Sequence, residues 1–137
     1  MPHLIVEYSG NLEPELDVDA LVCAIHETAL ATGVFPVGGV RTRAQRCDHY
    51  RIADGHPDNR FVHLDIKIAA GRSLDVRKKA GDAIFKAVTD TLASLYAKYP
   101  LGISMEIMEI NPDTSWKQNN LHEAVAQRAA QRKGDAA

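Results

Sequence analysis

The sequence predicts an α/β domain of two β-α-β units, which together form a mostly parallel four-stranded sheet with two helices on one face. Three observations lead to this fold class. Apolar and polar side chains alternate over residues 3–9, apolar residues at helical spacing follow, and the same order of elements returns after an offset of 60 residues. Because the offset is even, corresponding side chains of the two predicted strands face the same way.

The first unit begins almost at the amino terminus, with a strand whose apolar face is formed by Leu4, Val6 and Tyr8. A helix of about four turns follows this strand. Asp17 is the predicted N-cap, because its side-chain oxygen can accept a hydrogen bond from the first turn. Gly33 is the predicted stop, because glycine adopts the left-handed conformation that ends many helices.

The middle of the chain is polar and rich in turns. An arginine-rich segment at 41–46 and a short apolar stretch at 50–53 predict a loop and an irregular strand. The sequence Asp-Gly-His-Pro-Asp-Asn at 54–59 predicts a turn. We therefore place the boundary between the two halves near 54–60.

The second unit repeats the plan of the first. Its strand alternates in the same way, with Leu64 in the position that Leu4 holds in the first unit. Ser73 caps a longer predicted helix that ends before Pro100, and alternation over 103–107 predicts the last strand.

These elements predict a single domain over 1–122, followed by a polar C-terminal tail over 123–137 that frays. Both helices should cover the same face of the sheet. The other face would then expose His3, Ile5 and Glu7, which form a mixed and partly apolar surface. Association through that face would remove it from water.

Composition narrows the possible functions. The chain has 137 residues, of which 45% are apolar and 25% charged, and this is enough for one domain with its own core. A formal net charge of -2 provides no positive field for nucleic acid or for an anionic membrane, so we expect neither partner. The amino terminus lacks the basic and apolar stretches of a secretion signal, and we expect a cytoplasmic protein.

Common metal and cofactor motifs are missing from the sequence. Cys23 and Cys47 lie outside CxxC spacing, and the six histidines show neither HxH nor HExxH spacing. The Gly38-Gly39 pair is too short to cradle a phosphate. We therefore expect no metal site.

The amino terminus offers the clearest chemistry. A proline directly after Met1 allows removal of the methionine, which exposes the secondary amine of Pro2 at the start of a strand. An α-amino group ordinarily titrates at about 7.7–8.0. Burial beside arginines disfavours its charged form, and the neutral amine is then a base near pH 7.

Several motifs resemble a known family. They are Ala-Thr-Gly-Val-Phe-Pro at 31–36, Ala-Asp-Gly at 53–55, Ala-Gly-Arg-Ser-Leu at 70–74 and Lys-Gln-Asn-Asn at 117–120. With Pro2 and the doubled β-α-β plan, they make the chain similar to the tautomerase superfamily. More narrowly, the chain resembles the 5-carboxymethyl-2-hydroxymuconate isomerase family from Pro2 to about His122.

The resemblance implies the tautomerase fold, a homotrimer, no cofactor, and a small dicarboxylate or tricarboxylate substrate. By position, it implies that Pro2 is the general base and acid and that Arg41 and Arg72 are catalytic and hold substrate carboxylates. Lys117 and Asn119 are further predicted substrate-binding residues, which could line the pocket from a neighbouring subunit. A guanidinium suits this role because it pairs with a carboxylate through two parallel hydrogen bonds.

The implied activity is a 1,3- or vinylogous proton shift on 5-carboxymethyl-2-hydroxymuconate, in homoprotocatechuate and 4-hydroxyphenylacetate degradation. Two alternatives remain open at this point. One is a tautomerase of another keto or enol acid, such as phenylpyruvate or 2-hydroxymuconate, and the other is a non-enzymatic trimeric module that binds anions. Arg77, on the second helix, is interpreted as a solvated surface charge.

Overall fold

The computed structural model describes residues 1–136. The strands are β1 (His3–Ser9), β2 (Arg41–Cys47), β3 (Arg60–Ala69) and β4 (Leu101–Ile110), and the helices are α1 (Val18–Ala31), α2 (Leu74–Thr91), α3 (Ala93–Lys98) and α4 (Leu121–Ala136). Short 3-10 turns lie at Gly10–Leu12, Val37–Gly39 and Pro112–Thr114.

The four strands form one mixed sheet in the order β2-β1-β3-β4. The strands pair in parallel within each half, β1 with β2 and β3 with β4, whereas β1 and β3, which join the halves, are antiparallel. The prediction of a mostly parallel sheet missed this central pair. The physical reason is the connection over 48–59, which contains no helix and lets the second half enter the sheet in the reverse direction.

The core lies between one face of this sheet and the helices α1 and α2. Leu4 and Val6 of β1 pair with Ile66 and Leu64 of β3, and all four side chains are fully buried. The predicted parity of the two strands is thereby confirmed. Apolar side chains of α1 and α2 complete the same cluster: Leu21, Ile25, Ala29, Ala80, Ile84 and Val88.

The helix ends agree with the sequence. The side chain of Asp17 accepts a hydrogen bond from the backbone N–H of Ala20 at 3.0 Å, and Gly33 has a φ of 70° directly after the end of α1. Ser73 accepts from the N–H of Val76 at 3.2 Å. The single long helix that was predicted after Ser73 is instead interrupted at Leu92, between α2 and α3.

A side-chain hydrogen bond just before Leu92 suits this interruption. The Thr91 hydroxyl donates to the Ala87 carbonyl at 2.7 Å, one turn earlier. Such bonds from a helical threonine to a carbonyl of the preceding turn often bend helices.

The arginine-rich segment forms a regular strand, where the sequence predicted a loop and an irregular strand. Residues 41–47 are β2, which pairs with β1 from His3–Arg41 to Ser9–Cys47. The apolar stretch at 50–53 forms no strand. Because β2 lies at the edge of the sheet, it can carry exposed charges while its backbone pairs on one side.

A further difference concerns the C-terminal segment. Residues 121–136 form α4, so the predicted boundary at 122 falls in its first turn and the predicted fraying tail is helical; Ala137 lies outside the described residues. Alanine, glutamine and arginine favour helices, which explains a helix with few buried side chains. Within residues 1–136 no helix is both long enough and apolar enough to cross a membrane.

Candidate active site

A cavity of about 420 Å³ opens beside the amino terminus. Pro2 is buried at its wall, immediately before β1. The carbonyl of Pro2 accepts a hydrogen bond from the Arg41 N–H at 3.0 Å, which fixes this end of the chain against the start of β2. The lining residues are Met1, Pro2, Pro36, Gly39, Ala69, Arg72, Lys117, Asn119 and His122.

Arg41 is not among the lining residues, but it bonds two residues that are, Gly39 and Asn119. Its Nη1 donates to the Gly39 carbonyl at 2.7 Å, and its Nη2 donates to Asn119 Oδ1 at 3.5 Å. The guanidinium is therefore held in place by two different segments of the chain.

Arg72 lines the cavity from the turn between β3 and α2. Its Nη1 donates to the Ala69 carbonyl and its Nη2 to the Val34 carbonyl, both at 3.2 Å. The guanidinium also lies 5.2 Å from the centre of the Phe35 ring. These contacts orient the group but leave part of its five N–H donors available to a ligand.

Asn119 joins three parts of the wall. Its Nδ2 donates to the Gly38 carbonyl at 3.1 Å, and its Oδ1 accepts from the Leu121 N–H at 2.9 Å as well as from Arg41. The sequence predicted Asn119 and Lys117 as substrate-binding residues that could line the pocket from a neighbouring subunit. In the structure both residues line a cavity of their own chain.

His122 is the polar lining residue that sequence reasoning missed. It lies in the first turn of α4, which packs against the Val37–Gly39 turn so closely that a Cβ on Gly38 would stand 2.8 Å from His122 Cα. The glycine pair at 38–39 was the available signal, since glycine in sequence often marks a close approach of two backbones. The sequence did not indicate which residue lies against Gly38.

The charge of the lining is one-sided. Arg72 and Lys117 contribute cations, and none of the lining residues is aspartate or glutamate. Burial lowers the pKa of the Met1 amino group, and the charges of Lys117, Arg41 and Arg72 lower it further. The cavity therefore favours anions and a neutral amine.

Arg77 is not the solvated charge that the sequence predicted. Its Nη1 lies 3.5 Å from Oε1 of Glu109, and its side chain is only 28% exposed. Oε2 of Glu109 accepts from the Gly71 N–H at 3.3 Å, directly before Arg72 in the chain. Arg77 thus belongs to the support of the Arg72 turn and is unsuitable as a neutral control.

On the open face of the sheet, ligand atoms of His63, Asp65 and Glu106 lie within 4.8 Å of one another. No such cluster was predicted from the sequence, because pairing of the adjacent strands β3 and β4 brings these residues together. His63 Nε2 lies 2.8 Å from an Asp65 oxygen, so an ion pair or hydrogen bond between these two side chains explains their closeness.

Comparison with known proteins identifies the family. Residues 2–125 match the family model of 5-carboxymethyl-2-hydroxymuconate isomerase. The chain belongs to this family. A 5-carboxymethyl-2-hydroxymuconate Delta-isomerase from Escherichia coli is 42% identical over 122 residues, which are 89% of this chain and 97% of that protein.

Solved structures agree with this membership of the isomerase family. A 5-carboxymethyl-2-hydroxymuconate isomerase from Deinococcus radiodurans R1 superposes with a TM-score of 0.86 at 43% identity, over 90% of this chain and 93% of that one. A structure described as a fused 4-OT wild-type symmetric trimer gives a TM-score of 0.64 at 19% identity, over 86% and 92% of the two chains. The second likeness shows a shared tautomerase-superfamily fold alone. The chain is therefore an isomerase with that fold.

Proposed function

We propose that this isomerase moves a proton on 5-carboxymethyl-2-hydroxymuconate, with the amino-terminal nitrogen of Pro2 as general base and then general acid. One observation carries the proposal. The amino terminus opens into a cavity that is lined by cations and contains no lining carboxylate, in a protein whose net charge is -2. A substrate with several carboxylates suits such a cavity, and the relatives, which are 5-carboxymethyl-2-hydroxymuconate isomerases, indicate its class.

The proton transfer has two steps. The neutral Pro2 amine removes the proton from the 2-hydroxyl group of the substrate, which leaves a dienolate. The resulting ammonium returns the proton to C5, at the far end of the conjugated system, and the product is a 2-oxo compound. Atoms and charge balance without a cofactor, because the same nitrogen accepts the proton and gives it back.

Removal of Met1 is required for this role, since the amine of the unprocessed chain belongs to Met1. After removal, the free amine moves one residue further into the wall, to the buried Pro2. The cations that lower the pKa of the Met1 amine are then its neighbours too. This supports a terminal amine whose pKa lies below its ordinary range.

Arg41 and Arg72 are the proposed groups that stabilise the anion. Their guanidinium groups are already oriented by backbone carbonyls, so little reorganisation is needed when substrate binds. Arg72 lines the cavity and can pair with a carboxylate directly. Arg41 is bonded to the lining residues Gly39 and Asn119, and from there its charge stabilises the developing dienolate. Lys117 is a further carboxylate-binding group.

We further propose a cytoplasmic homotrimer, in which the open face of the sheet is buried between chains. His3, Ile5, Glu7, His63 and Asp65 on that face are half-buried in the single chain. The single Trp116, beside the site, is 86% exposed, which is unusual for so large an apolar side chain. Light scattering should give a mass three times 15.0 kDa. A stable monomer at micromolar concentration contradicts the trimer.

The proposal is tested by replacing the base while leaving processing intact. Pro2→Ala still permits removal of Met1, which intact mass confirms, but its amine is primary and less constrained. General base catalysis contributes about 10²–10⁴-fold, and we expect at least about a tenfold loss of kcat. Ultraviolet absorbance follows turnover of 5-carboxymethyl-2-hydroxymuconate, 2-hydroxymuconate and phenylpyruvate.

Three results would contradict the proposal. One is an unchanged kcat in a folded and processed Pro2→Ala protein. Another is full activity in a preparation that retains Met1. The third is a wild-type enzyme that prefers phenylpyruvate to both muconates, which would move the substrate to another class of keto acid.

A further inference from the structure

His122 is the polar group of the cavity to which the proposed chemistry gives no role. It is brought to the cavity by the first turn of α4, and within residues 1–136 its ring takes part in no hydrogen bond or ion pair. Asn119 beside it differs, because its amide already bonds Gly38, Leu121 and Arg41. The imidazole is therefore available to a ligand, whereas Asn119 positions the wall.

The rings of His122 and Pro2 both lie beside Gly39. A Cβ on Gly39 would stand 3.4 Å from Pro2 Cδ and 3.8 Å from His122 Cε1. Pro2 Cδ is bonded to the nitrogen that acts as the base. The absence of a side chain at Gly39 thus leaves the imidazole and the terminal nitrogen on adjoining parts of one cavity.

We propose that His122 donates a hydrogen bond to the carboxylate of the substrate's carboxymethyl arm, and so selects a tricarboxylate over a dicarboxylate. This inference rests on the proposed function. The base must return its proton to C5, and C5 is the carbon that carries this arm. When C5 lies against Pro2, the arm lies in the neighbourhood that His122 shares with the base.

The contact should act on binding rather than on the chemical step. The dienolate charge develops along the conjugated system, whereas a CH2 group separates the arm's carboxylate from that system. A bond to this carboxylate therefore has similar strength in the ground state and in the transition state, and its loss raises KM with little change in kcat. The same loss is silent for 2-hydroxymuconate, which has no arm.

The experiment compares three variants on two substrates. His122→Ala removes the ring but keeps the backbone contact with Gly38, and alanine favours the helix. His122→Gln retains an N–H donor of similar reach. Gln127→Ala, an exposed position one turn further along α4, is the matched control.

For 5-carboxymethyl-2-hydroxymuconate, we expect His122→Ala to raise KM by about tenfold or more, which corresponds to one charge-assisted hydrogen bond. His122→Gln should restore most of that loss. For 2-hydroxymuconate, all three variants should match the wild type, and Gln127→Ala should match it on both substrates.

Several outcomes overturn the inference. Equal losses on both substrates mean that His122 contacts a part common to them or only supports the fold. A loss confined to kcat places it in the chemical step, and an unchanged KM on the tricarboxylate removes it from the site. Failure of the proposed function looks different, because the wild-type enzyme itself would then turn over neither muconate.

Discussion

Gly38→Ala tests how α4 is attached to the rest of the site. A Cβ at Gly38 would stand 2.6 Å from His122 Nδ1 and 2.8 Å from both the Cα and the N of His122. The ring could rotate away, but the two backbone atoms can move only with the helix. Gly38 has no positive φ, so alanine fits its backbone and the whole penalty is steric. Overpacking of this kind costs about 1–3 kcal/mol.

Three measurements follow the effect. Urea unfolding should show a loss of stability in the range given above, with the m-value unchanged. Hydrogen exchange should show lost protection over 121–136 but not in β1 or β3, because only α4 is displaced. The substrate KM should rise as well, since Asn119 and His122 move with the helix.

Gly134→Ala is the matched control. It lies in the same helix, and among residues 1–136 nothing outside the helix backbone stands within 4 Å of its added Cβ, so the higher helix propensity of alanine should dominate there. We expect no loss of stability or activity in this variant. If Gly38→Ala behaves like Gly134→Ala, the close contact between α4 and the Val37–Gly39 turn does not exist in solution and the assignment of His122 to the cavity is wrong.

Three further predictions concern the arginines, the amine and a helix cap. Arg72→Ala should lower kcat/KM by about 10- to 150-fold, the equivalent of one charge-assisted hydrogen bond, and Arg41→Ala should act mainly on kcat. Steady-state kinetics test both effects with the exposed Arg128→Ala as control, and equal effects at all three positions refute the assignment of the arginines. Because burial and cations lower the pKa of the terminal amine, kcat/KM should rise with pH, and the midpoint of this rise should lie below about 7.7–8.0, the ordinary pKa range of an α-amino group. A midpoint above that range in the pH profile contradicts a neutral base. Asp17→Ala removes the hydrogen bond to the first turn of α1 and should lower the free energy of unfolding by about 0.5–2 kcal/mol. An unchanged midpoint in urea unfolding would contradict this prediction.

Local signals in the sequence were sufficient for much of the fold. Alternation placed Leu4 and Leu64 in the core, and the caps at Asp17 and Ser73 are present in the structure. Each of these features depends on residues within one turn or one strand. The antiparallel pairing of β1 with β3 depends instead on the path of the loop at 48–59, which no local pattern encodes.

The edge strand β2 escaped prediction for a related reason. Its sequence, Arg-Thr-Arg-Ala-Gln-Arg-Cys, has almost no apolar face, and among its residues Ala44 packs against the core. Backbone pairing with β1 holds it in place, and backbone pairing is independent of side-chain identity. Hydrophobic periodicity is therefore a weak guide to edge strands.

The candidate site likewise combines residues that local sequence predicted with residues that only tertiary contacts bring together. Pro2, Arg72, Lys117 and Asn119 were predicted and line one cavity, while the predicted Arg41 bonds two of the lining residues without lining the cavity itself. His122 was missed because its neighbours are distant in sequence. Their convergence is a tertiary effect that a single sequence without aligned relatives does not display.

The amide of Asn119 couples substrate binding to the local unfolding of α4. It bonds the start of α4, the Gly38 carbonyl and Arg41 at the same time. When α4 detaches, the Arg41 guanidinium therefore loses one of its two hydrogen bonds. Coupling of this kind is reciprocal: a ligand that needs the assembled wall must hold the helix closed. At a concentration of 100 Kd, such a ligand raises the free energy of opening by about 2.7 kcal/mol, and amide exchange in the first turns of α4 slows by about 100-fold. The exchange rate of this helix thus reports occupancy of the cavity, with no need for turnover.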